Sequence, residues 1–265
     1  IVAITGGTVV TIDGITPTAA VIGVEPTGKL TFRTDIPTRL TVGTLQLLPQ
    51  GALQIGTPGA PVLPTVTAEI VIADVPLDLT DDGVGTFDPR QFGTSLLSID
   101  AKVSMFGAVK TPFVRLAQVP LVGATSLRLA TPVSGWRPGD VLVLPDSRQV
   151  TDSQWDLYSF KGENPVISSV STDGLTVYLQ SALLYTHPGA KDGNDVLEFL
   201  PHVGNLTRNI VIRSANPNGT RGHTLYTERS EVDIQWVAYR NLGRATVDPI
   251  DSTRLSGVVH ASVSP

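Results

Sequence analysis

Val203-Gly204-Asn205-Leu206-Thr207-Arg208-Asn209-Ile210-Val211-Ile212-Arg213-Ser214 is the passage whose reading sets the fold. Within it, Asn209 to Arg213 reads as a short buried strand, with Ile210 and Ile212 on one face and Val211 on the other. Twenty-two residues later Val232-Asp233-Ile234-Gln235-Trp236-Val237 repeats the pattern, so that Ile210 falls on Val232 and Ile212 on Ile234. A strand recurring at this interval, with turn residues between the copies, predicts stacked coils of a parallel β-solenoid.

A second repeat lies near the N-terminus. Aligning residues 21–34 with 44–57, an offset of 23, matches Pro26 to Pro49, Gly28 to Gly51, Leu30 to Leu53, Phe32 to Ile55 and Thr34 to Thr57. Each copy is strand, Pro-x-Gly turn, strand, and Leu97 to Met105 reads as a third, degraded copy about two periods on. Repeats at both ends of the chain favour one continuous right-handed parallel β-helix, with long loops on its surface and few or no helices. A sandwich with regular turns is the alternative that mimics this spacing.

Composition agrees with an all-β chain. Valine, isoleucine, leucine and threonine dominate the 265 residues, and 25 glycines and 20 prolines punctuate them at short intervals. Cysteine is absent, which excludes disulfides and thiol chemistry. No apolar run has the length of a membrane span. A net charge of −5 argues against a nucleic-acid partner. Ile1 stands where a methionine is expected, so the start reads as processed or cut. The charge is uneven: residues 151–207 hold 2 basic and 7 acidic side chains, whereas residues 208–265 hold 7 arginines, no lysine and 5 acids. Arginine forks suit carboxylates, although β surfaces also use arginine simply to stay solvated.

Several segments carry candidate chemistry. Asp78, Asp81, Asp82 and Asp88 cluster around two glycines, which admits calcium as a ligand, against the plainer reading of a solvated turn; no other cofactor is expected. Asp146 to Asn164, with Arg148, Trp155, Tyr158 and Lys161, reads either as a carbohydrate shelf or as a loop packing Trp155 onto the core. His187 to Asp195 reads as a polar surface loop. The four histidines, His187, His202, His223 and His260, lack zinc-site spacing, and no Gly-x-Ser-x-Gly elbow is present. On stacked coils, side chains 20–25 positions apart form one surface. Arg221 and Arg244 are 23 apart and, with Arg229, form a candidate cationic strip for a uronic-acid carboxylate; His223, Glu228 and Asp248 are the candidate acids or bases beside it. The plainer alternative pairs these arginines with Glu228 and Asp248 to satisfy turns.

From Gly135-Trp136-Arg137-Pro138-Gly139-Asp140 onward, through Ile167 to Ser171 and Leu175 to Leu179, to Leu206-Thr207-Arg208-Asn209-Ile210, the chain resembles the G8 domain. Gly51 to Thr57 and Phe106 to Ala117 agree, so the resemblance covers about residues 5–214. It divides the chain into a G8 domain over 1–214 and the first coils of a parallel β-helix over 215–265, continuous with it. The resemblance implies a pectin-lyase-like solenoid and a secreted or cell-surface setting, as in the family of the cell-surface hyaluronidase and the cell-migration-inducing hyaluronan-binding protein. In those relatives a Gly-Arg-Tyr-Pro run leads into the cleavage region; here Gly243-Arg244 is followed by Ala245-Thr246. The expected function is therefore an extracellular module that binds polysaccharide or supports an adjacent carbohydrate-active segment. A hyaluronidase-like depolymerase of an acidic polysaccharide and a self-assembling adhesive protein are the alternatives. The expected partners are a glycan, a larger parent chain or further copies of this chain.

Overall fold

The computed structural model describes residues 1–75, 77, 92–148 and 158–243. Their regular structure is all β, and the chain divides into two compact units: residues 1–108 with the chain from Arg208 onward, and Val109–Thr207.

The first unit is a parallel β-helix. Its strands are β1 (Val2–Ile4), β2 (Val9–Ile12), β3 (Ile15–Val24), β4 (Lys29–Phe32), β5 (Thr38–Leu47), β6 (Ala52–Ile55), β7 (Ala68–Ile72), β8 (Ser95–Ser98) and β9 (Lys102–Phe106). After the second unit, whose strands are numbered β10 to β17, come β18 (Ile210–Ser214), β19 (His223–Tyr226), β20 (Glu231–Gln235) and β21 (Val237–Arg240). One sheet runs β2-β4-β6-β9-β20. The other runs β1-β3-β5-β7-β18-β21, and the second half of β5 also pairs with β8, on which β19 is laid.

The repeat at 23 residues is a true coil-to-coil register, with Val21 beside Thr44, Leu30 beside Leu53 and Phe32 beside Ile55. Its turn explains the Pro-x-Gly signature. Thr27, Gln50 and Asp100 take left-handed φ of 63°, 67° and 51°, and their backbones stack, Thr27 N–H donating to Gln50 O at 3.2 Å and Gln50 N–H to Asp100 O at 2.9 Å. Glycine is needed just after this residue because a Cβ on Gly28 would stand 2.5 Å from Ile4 O. The third copy is the next coil, Leu53 meeting Val103 and Ile55 meeting Met105. Its interval is longer because β7 lies between. Inward side chains, among them Leu30, Leu53, Ile70, Val103, Ile210 and Ile212, form one continuous apolar core.

The register expected at the other end is different. Ile210 rests on Val237 and on Ala68, and Val232 pairs with Val103, so Ile210 and Val232 belong to opposite sheets of one coil. Period-two alternation is the same in both sheets of a coil, and a match at 22 residues therefore confused the two faces with two floors. Ser214, the last residue of β18, lies within a sheet that continues to β21.

Residues 109–207, of which Asp146 to Asn164 and His187 to Asp195 are expected as surface segments of a solenoid, have a core of their own. The strands are β10 (Phe113–Arg115), β11 (Ser126–Arg128), β12 (Leu142–Val143), β13 (Ile167–Val170), β14 (Thr176–Leu179), β15 (Ala190–Lys191), β16 (Leu197–Phe199) and β17 (His202–Asn205). They pair antiparallel, as β10-β17-β12, β11-β14-β13 and the hairpin β15-β16. Leu116, Leu127, Leu142, Ile167, Val177 and Val203 fill the middle. The Gly-Trp-Arg-Pro-Gly-Asp run is a structural corner. Trp136 donates its indole N–H to Thr111 O at 2.6 Å, and Asp140 accepts from Lys110 Nζ at 2.7 Å, Asn205 Nδ2 at 2.8 Å and Arg137 N–H at 3.0 Å. Buried polar groups persist where they are fully paired in this way.

Candidate functional site

In the second unit, Leu144 and Glu163 exchange backbone hydrogen bonds at 2.9 and 3.0 Å, which pins both ends of the intervening segment. Just inside the pin, the Asp146 carboxylate is saturated. It accepts from Arg148 Nε at 2.9 Å and Nη2 at 2.7 Å, from the Tyr158 hydroxyl at 2.9 Å, and from the backbone N–H groups of Lys161 and Arg148 at 2.9 and 3.2 Å. The bidentate Arg148 guanidinium, with those N–H groups and the phenol, holds the Asp146 carboxyl well below the usual carboxylate range, although burial opposes it. The same carboxylate raises the Tyr158 phenol.

The Glu163 side chain organises the facing wall. Its carboxylate accepts the N–H groups of Leu184 at 2.9 Å and Tyr185 at 3.2 Å and meets His187 Nε2 at 2.8 Å. His187 is 1% exposed, and its Nδ1 lies 2.8 Å from Pro145 O. Both ring nitrogens are thus occupied, so this pair fixes the wall and has no nitrogen left to exchange a proton with a ligand. His187, expected on a surface loop, is instead buried, because its ring joins the two segments that flank the cavity.

Between these walls lies a cavity of about 420 Å³. Val122, Arg148, Lys161, Leu184, Tyr185 and Thr186 line it. Lys161 Nζ sits 5.7 Å from the Tyr185 ring centroid and Arg148 Cζ 5.4 Å from that of Tyr158. Among the described residues the lining carries two cations and no carboxylate. Arg148 spends Nε and Nη2 on Asp146 and the Ser159 carbonyl, which leaves Nη1 without a hydrogen bond among the described residues. Lys161 Nζ makes no hydrogen bond among them. Cations whose donors are left over, beside tyrosine faces, suit an anionic group carried on a ring with apolar faces.

Of the residues singled out from sequence, Tyr158, 39% exposed, does not line the cavity but packs against Arg148, which does. Trp155, Arg244, Asp248 and the aspartates Asp78, Asp81, Asp82 and Asp88 lie outside the described residues. His223 is buried at the start of β19, whereas Glu228 and Arg229 are exposed on the turn after its end, so the strand separates that histidine from that acid. Arg221 is half-buried just before β19. Among the described residues no group of three histidines, aspartates or glutamates is placed to hold a metal, and no helix is long and apolar enough to cross a membrane. Tyr185 and Lys161 as partners escaped the sequence reading because 24 residues and two segments separate them.

The chain is 29% identical over 227 residues to Fibrocystin-L of Homo sapiens and 26% identical over 223 residues to Fibrocystin-L of Mus musculus, covering 82% and 80% of this chain. It spans only 5% of the length of each of these relatives. Among solved structures it is similar to the tailspike gp61 of Pseudomonas phage phi297, at 12% identity and a TM-score of 0.31 over 77% of this chain and 28% of that one. It is also similar to the tailspike gp49 of Pseudomonas phage LKA1, at 16% identity and 0.26 over 74% and 25%. The model of the G8 domain matches residues 1–117.

Proposed function

We propose that this chain is an extracellular, non-catalytic module that binds an acidic polysaccharide through the Arg148–Lys161–Tyr185 cavity. The observation that carries the reading is the pairing of two cations with tyrosine faces around a concave site whose described lining has no acid. Glycoside hydrolysis canonically uses two carboxyl groups about 5–10 Å apart across the bond to be cut. Here Asp146 is saturated by Arg148 and its neighbours, and Glu163 is committed to the opposite wall. The cavity falls in the range of about 300–1,000 Å³ typical of small-ligand sites, and the surface setting follows the G8 resemblance.

The test is incubation with hyaluronan and a panel of acidic and neutral polysaccharides, with and without calcium, reading retention and chain length together. Retention of acidic chains without shortening is expected, and Lys161→Ala should weaken it about tenfold, the worth of one charge-assisted hydrogen bond. Shortened chains would replace the binding reading with a depolymerase. Indifference to every glycan would leave self-association or support of a neighbouring segment as the function.

A further inference from the structure

The outer face of the larger sheet of the β-helix carries an arrangement absent from the sequence reading. Ile210 and Ile212 of β18 face the core, which turns Val211 and Arg213 outward; in β21, Val237 and Tyr239 pack on the core, which turns Ala238 and Arg240 outward. Arg213 and Arg240 are direct register partners on these parallel strands. Neighbouring parallel strands lie about 4.8 Å apart, so the two arginines leave adjacent strands on the same face of the sheet. Like charges directly opposite on a sheet are unfavourable.

The acid on this face is already divided. Glu69, outward on β7, already gives Oε2 to Arg39 Nε and Oε1 to Arg213 Nε at 3.2 Å. Two arginines, on β5 and β18, thus share one carboxylate. Arg240 is exposed and has no ion pair or hydrogen bond among the described residues. Arg240, exposed, and Arg213, whose Nε and Nη1 are spent on Glu69 and the Ser214 carbonyl, leave guanidinium donors unspent among the described residues beside an already divided carboxylate.

We propose that Arg213 and Arg240, with Arg39 behind Glu69, form a second oxyanion site, which takes a carboxylate or sulfate carried by an acidic polysaccharide. The chain's net charge of −5 and the inward packing of Tyr239, which leaves it unable to stack a base, favour a saccharide over a nucleic acid. The site lies in the first compact unit and is independent of the cavity in the second, so its fate does not depend on that reading.

Arg240→Ala tests it cleanly, because that side chain makes no ion pair or hydrogen bond among the described residues. The ligand-free variant should melt no lower than the parent, since a repulsion is removed. Its affinity for a sulfated and for a uronate polysaccharide, measured by calorimetry at low salt, should fall about tenfold, and Arg240→Lys, which lacks the fork, should recover only part of it. Running both in the Lys161→Ala background separates the two sites: a further loss there supports the arginine pair whether or not the cavity binds. Inorganic sulfate should raise the melting temperature of the parent more than that of Arg240→Ala. Unchanged polysaccharide affinity in Arg240→Ala overturns the proposal. Tighter binding of duplex DNA than of either polysaccharide, lost in the same variant, overturns its saccharide assignment.

Discussion

The side-chain oxygen of Asn209 accepts the backbone N–H of Ala108 at 2.8 Å, joining residues 101 positions apart at the point where the chain leaves the β-helix and returns to it. The amide nitrogen of Asn209 faces the carbonyls of Val62, Leu63 and Val66 at 3.0 to 3.2 Å. One buried side chain thus ties the end of β9, the residues before β7 and the start of β18. Asn209→Ala strands an N–H and several carbonyls, and is expected to cost about 3 kcal/mol of stability, read as a lowered denaturation midpoint with an unchanged slope. A variant as stable as the parent would show that water replaces the amide.

Gly107 stands at the same crossing. A Cβ there would lie 2.3 Å from Trp236 O and 2.8 Å from Asn209 Oδ1. Both obstacles are held in place, one as backbone and the other by its hydrogen bonds, so neither swings aside. Gly107→Ala is expected to destabilise by about 1–3 kcal/mol, whereas Gly59→Ala, with nothing within 4 Å, should be close to neutral in the same thermal melt.

Ile210 is fully buried between Ala68 and Val237. Ile210→Asp places an ionisable group with no partner between coils, at a cost of several kcal/mol against a total stability of about 5–15. Loss of cooperative unfolding is the expected outcome, and a variant that melts like the parent would refute the strand.

Lys110 and Asp140 form an ion pair 5% and 6% exposed in the second unit. Lys110→Met leaves the aspartate buried with its charge uncompensated, and is expected to cost about 3–5 kcal/mol. Hydrogen exchange locates the damage. The amides of β12 and β17 should lose protection while those of β5 and β7 keep it, and equal loss in both sets would mean that the units unfold together.

Among the groups described, the Asp146 carboxyl should be one of the last to protonate in the folded protein. A carboxyl depressed in the folded state contributes stability at pH above its unfolded value of about 3.9, and that contribution is lost as the pH falls toward the folded value. Arg148 is the main cause of the depression. Between neutrality and about pH 5 its contribution to stability should therefore be unchanged, and below about pH 4 that contribution should decline, read as a falling denaturation midpoint. In the folded protein the Tyr158 resonances should hold still through that range, and their movement at pH 6 would contradict the assigned cause.

The coil repeat near the N-terminus was legible because its determinants are local. A left-handed residue followed by a glycine pressed against the preceding coil leaves Pro-x-Gly in the sequence, and alternation leaves Leu30 and Leu53 in step. Strand identity at Ile210 to Ser214 was legible for the same reason. Tyr158 was marked as a site residue because a tyrosine beside acids and cations stands out within one short segment.

Partner choice across long separations was not legible. Glu231 pairs with Lys102 across 129 residues, and the intervening unit erases any fixed interval. Arg213 and Arg240 were visible only as members of an arginine-rich tail, and their adjacency depends on a register of 27 that the stronger-looking offset of 22 concealed. Lys161 and Tyr185 meet because Glu163 and His187 hold two segments together from behind. Sequence carries alternation and turn chemistry, which act between neighbours. Which strand lies on which, and so which charges share a surface, is settled by the packing of the whole core, where burial of Ile210 and Ile212 selects one register over others with the same local pattern.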